Sequence, residues 1–346
     1  MRGSRWWAAV WVAAVLFGAA CSSDDPAPPG DSAAESPATP EPEPDPVCPI
    51  TGGDPPRGVD LERPAIAVKV ENSPQARPQS GLEHADLVFE ERVEGGITRF
   101  MAIFHCGESK KVGPVRSGRF DDPKLAKPFT RLLAASGSNA IVERELANQK
   151  LVYLNELNTA ALYRVPPGST DIHSLFADTE KLRKVAVKRK LANPTSKTFT
   201  FGDVPGPAKR ARRVTINFTD SNTIEYRFKG GGWKRFEAGV PFATAGGGQI
   251  AVPNVVVQQV TVNNSPNIVD SAGNASPDIS LEQSSGRVWL FRDGRVIKGR
   301  WKMGKVGDPI RYMDKSGKPM VFAEGPVWIE LVPSGKGEVK GKFAYK

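Results

Sequence analysis

Residues 64–122 read PAIAVKVENSPQARPQSGLEHADLVFEERVEGGITRFMAIFHCGESKKVGPVRSGRFDD, and the first half of the fold turns on this stretch. Three apolar runs stand in it, at residues 66–70, 87–92 and 98–104. Ile66, Val68 and Val70 recur every second residue, the period of a strand. Gly95 and Gly96, between Glu94 and Ile97, supply a hairpin turn joining the second run to the third. Asp121–Asp122–Pro123 starts a helix, because proline in a first turn forfeits no hydrogen bond, and Pro128 kinks or restarts it. The dense polar turns between the strands are more than apolar packing requires. They form either a binding surface or a buried polar network.

Upstream, Arg2 and Arg5 precede an apolar run over residues 6–20. That run falls short of the about 20 apolar residues of a membrane-spanning helix. It suits a secretory signal, giving residues 1–20 as a signal peptide. Gly18, Ala19 and Ala20 before Cys21 resemble a bacterial lipobox, which makes Cys21 the lipidated first residue; Gly18 stands where an aliphatic residue is commoner. Cleavage after Ala20 to give a plain secreted protein is the alternative. Residues 21–46, with the run EPEPDP, bury no apolar area and propagate no helix. They read as a disordered, extended tether that stands a domain off the outer face of the cytoplasmic membrane.

With Cys21 lipidated, Cys48 and Cys106 remain as a candidate disulfide or as two buried thiols. His105 beside Cys106 lacks the context of a cysteine nucleophile. The chain carries 47 basic and 38 acidic side chains, a net charge of +9. Seven acids but only Arg2 and Arg5 precede Val47, so the folded part is at about +14 and attracts polyanions. For an exported protein these are anionic head groups or wall polymers bearing phosphate or carboxylate, and not nucleic acid.

Residues 132–135 read as a strand and 140–147 as a helix. A second helix spans 179–189, with Asp178 as its cap. The Pro-, Gly- and Lys-rich segment 193–212 marks a boundary, giving domains at 47–198 and 199–346. Beyond it the chain is strand-like: 214–218, 224–228, 255–262, and 327–332, which closes the fold. Residues 288–292 and 295–301 flank Asp293–Gly294, a pair suited to a type I′ hairpin turn. Gly230–Gly232 and 246–248 lack the strand-to-helix setting of a phosphate loop. The expected class is α+β: a mixed α/β N-terminal domain, then a mostly antiparallel β C-terminal domain.

VKVENSPQARPQSGLEHADLVFEERVEGGITRF (68–100), followed by VGPVRSGR (112–119), resembles the YerB family of bacterial lipoproteins. The likeness continues through Leu162–Tyr163–Arg164 and Ile172–His173–Ser174–Leu175–Phe176. It resumes at Pro253–Asn254–Val255–Val256–Val257, at Asp293–Gly294 and at Gly325–Pro326–Val327–Trp328. Ser174 stands where the family pattern has asparagine. The resemblance implies a lipid-anchored envelope protein with a domain of unknown function and a C-terminal companion domain. It carries no established reaction.

Asn72, Arg77, Glu90, Arg99, Arg116, Ser117, Arg119, Arg164 and His173 form the candidate ligand set, because a guanidinium fork fits carboxylate or phosphate. Their structural alternative is a self-satisfied network in which Glu90 and Glu94 neutralise Arg99 and Arg116. His84, His105 and His173 are too scattered for a metal signature, and no cofactor is expected. No nucleophile-elbow motif surrounds Ser117 or Ser136. The sequence therefore favours a binding or scaffold module for an anionic wall polymer or envelope protein. A wall-active hydrolase or transferase and a transporter-linked solute-binding lipoprotein are the alternatives.

Overall fold

The three apolar runs become β1 (Ile66–Glu71), β2 (Leu87–Arg92) and β3 (Thr98–Phe104). These ranges come from a computed structural model that describes residues 45–192, 198–204, 206, 208–220 and 222–346. The expected signal segment, Cys21 and nearly all of the tether lie outside the described residues. β3 pairs antiparallel with both β1 and β2, so successive side chains point to opposite faces of the sheet. Val68, Val70, Val88, Phe100 and Ala102 enter one core, on what is here the first face. Ala67, Leu87, Phe89, Met101 and Ile103 enter another, on the second face. Strands buried on both faces read as nearly continuous apolar runs. The charged residues within them, Lys69, Glu71, Glu90, Glu91 and Arg99, are buried too and must find partners.

β4 (Leu132–Ala134) and β5 (Val152–Leu154) extend this sheet in parallel beyond β1. On the second face lie α1 (Asp122–Ala126) and α2 (Ala140–Asn148), through Leu125, Ala126, Val142 and Leu146. α3 (Thr179–Lys188) covers the first face with Leu182 and Ala186. Asn139 and Asp178 cap α2 and α3, accepting hydrogen bonds from the N–H groups of Ile141 and Lys181. α1 ends at Ala126, two residues short of Pro128, so the expected kink falls outside a helix.

Strands of the C-terminal half complete the same sheet, in the order Arg311–Asp314, Arg295–Lys302, Ser285–Arg292, Asn254–Val269, Val327–Pro333, β2, β3, β1, β4, β5. Strand Val327–Pro333, expected to close the fold, is followed by one more strand, Lys342–Tyr345. Val327–Pro333 lies mid-sheet, parallel to β2 on one side and to Asn254–Val269 on the other. Asp293 and Gly294 turn with φ of 50° and 64°, the doubly left-handed geometry that an Asp-Gly pair tolerates. A second, antiparallel sheet contains Arg213–Asn217, Thr223–Lys229, Gly232–Glu237 and Lys342–Tyr345. It closes over the first face with Val214, Ile216, Tyr226 and Trp233. The class is α+β, with helices confined to the N-terminal half. Cys48 and Cys106 are bonded, tying the start of the described chain to the end of β3. Among the described residues, no helix is long and apolar enough to cross a membrane.

Candidate functional site

Strand alternation sorts the candidate residues before any contact is considered. Glu90 and Glu91 are neighbours in β2, and Thr98 and Arg99 in β3, so each pair splits between the two faces. On the first face Glu90 sits beside Glu330 in the parallel register of β2 with Val327–Pro333. Above them Arg235 reaches Glu90 at 2.9 Å, Glu237 at 3.1 Å and Glu330 at 3.3 Å. Its guanidinium lies between the rings of Phe242, Trp328, Phe100 and Tyr226, 4.7 to 5.5 Å from their centroids. Burial works against the charge of Arg235, but Glu90, Tyr226, Glu330 and Glu237 outweigh it and hold the group protonated. Burial and then the Glu90 carboxylate push Glu330 well above the usual carboxylate range. With Glu330 protonated and hydrogen-bonded to Glu90, Arg235 and Arg77 face two carboxylates, Glu90 and Glu237.

Asn72 and Arg77 belong to this network, Arg77 at its edge, where with Glu237 it lines a separate pocket on this side. The Asn72 amide donates to Thr98 at 2.8 Å and to Glu90 at 3.2 Å. Arg77 pairs with Glu237 and donates to the Asn72 carbonyl at 2.8 Å. Glu90, Asn72 and Arg235 are all at most 1% exposed, so no ligand reaches them. The sequence placed Asn72, Arg77 and Glu90 in the ligand set; the structure sets them apart from its arginines, across the sheet. It also puts Glu90 on Arg235, not on Arg99 or Arg116.

On the second face, Arg99, Arg116, Ser117 and Arg119 line a cleft of about 650 Å³. Ser138, Asn139 and Val142, at the start of α2, form one wall. Ile268 to Ser271 and Ser276, from the C-terminal half, form the other. Arg119 pairs with Glu94, whose other oxygen accepts from Ser276. Arg116 pairs with Glu71 at 3.0 Å. Glu71 also receives Nδ1 of His173 at 2.9 Å, so His173 steadies the acid behind Arg116. Arg164 does not line the cleft. It pairs with Glu156 at 3.5 Å and donates to the Asp171 carbonyl and to Ser174 Oγ. Ser174, the departure from the family pattern, thus accepts from Arg164 while donating to the Asp171 carbonyl at 2.7 Å.

Arg99 differs from its two neighbours. It is 6% exposed, and among the described residues it forms no ion pair. It donates to the Ser117 carbonyl at 3.4 Å, and its Nε, like those of Arg116 and Arg119, has no hydrogen-bond partner. Burial first, and then the charges of Arg119 and Arg116, lower its pKa to about 10 against the opposing pull of the Glu94 and Glu71 carboxylates, so it remains a cation at neutral pH. Beneath the cleft, Asp122 binds Lys69 at 2.6 Å through one oxygen and the Arg119 N–H at 2.7 Å through the other. Glu91 completes the contact with Lys69. Burial opposes the Lys69 charge, but Asp122 and Glu91 raise its pKa. Asp121, pushed up to about 7 by burial, accepts from the Ile279 N–H at 2.9 Å. Lys124 adds bonds to Asp121 and Asp278, fixing α1 to the strand Ala275–Ser280 beside the cleft.

Sequence reasoning missed Arg235, Glu237 and Glu330, and also the cleft wall at 268–276. One signal was present: Asp270 opens the turn DSAGN, and its carboxylate accepts from the Ala272 and Asn274 N–H groups. Lys69, a lysine inside a strand buried on both faces, was another.

Two family models match the chain: protein of unknown function DUF3048, N-terminal domain, over residues 50–192, and its C-terminal domain over 214–329. A relative from Bacillus subtilis (strain 168), named "Putative lipoprotein YerB", is 32% identical over 297 residues, 83% of this chain and 86% of the relative. The crystal structure of YerB protein from Bacillus subtilis superposes with a TM-score of 0.71 at 29% identity, covering 86% of this chain and 98% of that one.

Proposed function

The chain belongs to the DUF3048 family, and from that premise we propose that it is a lipid-anchored envelope protein that binds an anionic ligand in the cleft lined by Arg99, Arg116 and Arg119. Its lipoprotein relative and the run before Cys21 support anchoring at the outer face of the cytoplasmic membrane. The observation that carries the binding reading is Arg99. Glu94 and Glu71 offset its charge only at a distance, a buried guanidinium without a direct ion pair is costly, and this one faces a cleft open to solvent. The start of α2 adds the positive end of a helix dipole to the same wall.

Binding rather than turnover is favoured because the acids lining the cleft are already engaged. Glu94 is held by Arg119 and Ser276, and Asp270 by its own turn. The test is co-sedimentation of the full-length protein with purified wall material, wild type against Arg99→Ala, with thermal melting to confirm folding. Loss of retention in a folded Arg99→Ala variant is expected. Equal retention overturns the reading.

A further inference from the structure

Charge counting in the cleft narrows its ligand. Of three guanidiniums, Arg116 pairs with Glu71 and Arg119 with Glu94, leaving Arg99 as the cleft arginine without an ion pair among the described residues. The far wall carries Asp270. Hydrogen bonds from Asn274 and from turn N–H groups lower its pKa, so it is ionised at neutral pH. One anionic group can take the unpaired fork of Arg99, while a second negative charge on the same ligand lies against Glu94 and Asp270 in a lining whose other arginines are already paired.

The remaining lining completes the pattern. Ile97, Val142, Ile268 and Val269 supply an apolar strip beside the arginines, with no aromatic face on which a sugar ring stacks. Glu94 is taken up by Arg119 and Ser276, whereas Asp270 Oδ2, which accepts from the Asn274 amide, keeps a lone pair for a further N–H donor. Arg99 lies deep, and Asn139 caps Ile141 at the entry to α2. A cleft of about 650 Å³ fits a few amino-acid residues rather than a polymer chain.

Building on the anion-site reading above, we propose that the cleft recognises the free C-terminal carboxylate of a short peptide. The carboxylate takes the fork of Arg99. The last side chain, small and aliphatic, lies against Ile97, Val142 and Ile268, and the peptide N–H groups face Asp270. A polyanion such as a repeating phosphodiester is disfavoured by the same Asp270.

The test is titration of the full-length protein with N-acetyl-alanyl-alanine, with its C-terminal amide, and with bis-glycerol phosphodiester, which bears the same single charge. The free acid is expected to bind at least about tenfold more tightly than the amide or the phosphodiester. Arg99→Gln is expected to remove that preference without shifting the thermal midpoint, and Asp270→Asn to improve phosphodiester binding. Phosphodiester binding as tight as or tighter than the acid, lost in Arg99→Gln, overturns the peptide assignment and leaves the anion cleft standing. Acid and amide binding equally well also overturns the assignment. No saturable binding of any anion, or binding indifferent to Arg99→Gln, overturns both.

Discussion

The two faces of one sheet treat arginine in opposite ways. On the first face Arg235 is wholly buried, ringed by aromatics and met by three carboxyl groups, one of them protonated. On the second face Arg99 is nearly as buried and, among the described residues, has no carboxylate in direct contact. Both guanidiniums are removed from water, so both incur the cost of desolvation. The first side returns that cost within the chain and the second does not. Compensation, not burial, separates a structural arginine from a binding one here.

Removing the two arginines should expose that difference most strongly. Arg235→Ala leaves Glu90 buried without its ion-pair partner and Glu237 with Arg77 alone, and is expected to lower unfolding free energy by about 3–5 kcal/mol in urea denaturation. Arg99→Ala is expected to change stability by less than about 1 kcal/mol, in either direction. Comparable losses from both would erase the distinction.

Replacing Cys48 and Cys106 together by serine perturbs the end of β3 remote from Arg99. A bridge spanning 58 residues is worth roughly 2–4 kcal/mol. The double variant should lose stability on that scale, yet the fraction still folded should bind anions as the wild type does. Weakened binding would show that the cleft depends on the far end of the sheet.

pH acts on two buried groups with opposite sign. Asp121, at about 7 when folded against an ordinary 3.8, holds its proton more tightly in the native state. Its contribution is full below 3.8 and is lost as pH rises to 7. His105, lowered to about 4 from 6.5 by burial, does the reverse, losing its contribution as pH falls from 6.5 to 4. Asp121→Asn should therefore tilt urea midpoints between pH 4.5 and 6.5 towards higher stability at higher pH, by ~1 kcal/mol or more relative to wild type. An unchanged slope would mean Asp121 is ionised in the folded protein. The smallest effect is expected from Glu330→Gln, which replaces a carboxyl already neutral and should cost under about 1 kcal/mol, far less than Glu90→Gln.

The local parts of this fold were legible because local signals encode them. Alternation at Ile66, Val68 and Val70, the cap at Asp178 and the Asp293–Gly294 turn each depend on a few adjacent residues. Arg99, Arg116, Ser117 and Arg119 were singled out together and do line one cleft. Glu90 was assigned to their side because adjacency along the chain was read as adjacency in space. The two-residue period of β2 puts it on the opposite face, and the run FEER already contained that parity. Arg235 could not have been found this way. It is distant in sequence from Glu90 and Glu330, and their meeting depends on which strands become neighbours, which no short window records. The same holds for Ile268 and Asp270, brought to the cleft by a pairing within the C-terminal half.

The place of strand Val327–Pro333 sets a schedule for the chain. β2 emerges early in synthesis, but its partner on that side comes more than 230 residues later. Closing so long a loop is entropically slow, and until then β2 offers a row of unpaired N–H and C=O groups to any other strand. A chain halted before Val327 would carry the arginines of the cleft and yet be prone to aggregate. Productive maturation thus calls for the polypeptide to be kept from self-association until strand Val327–Pro333 has arrived.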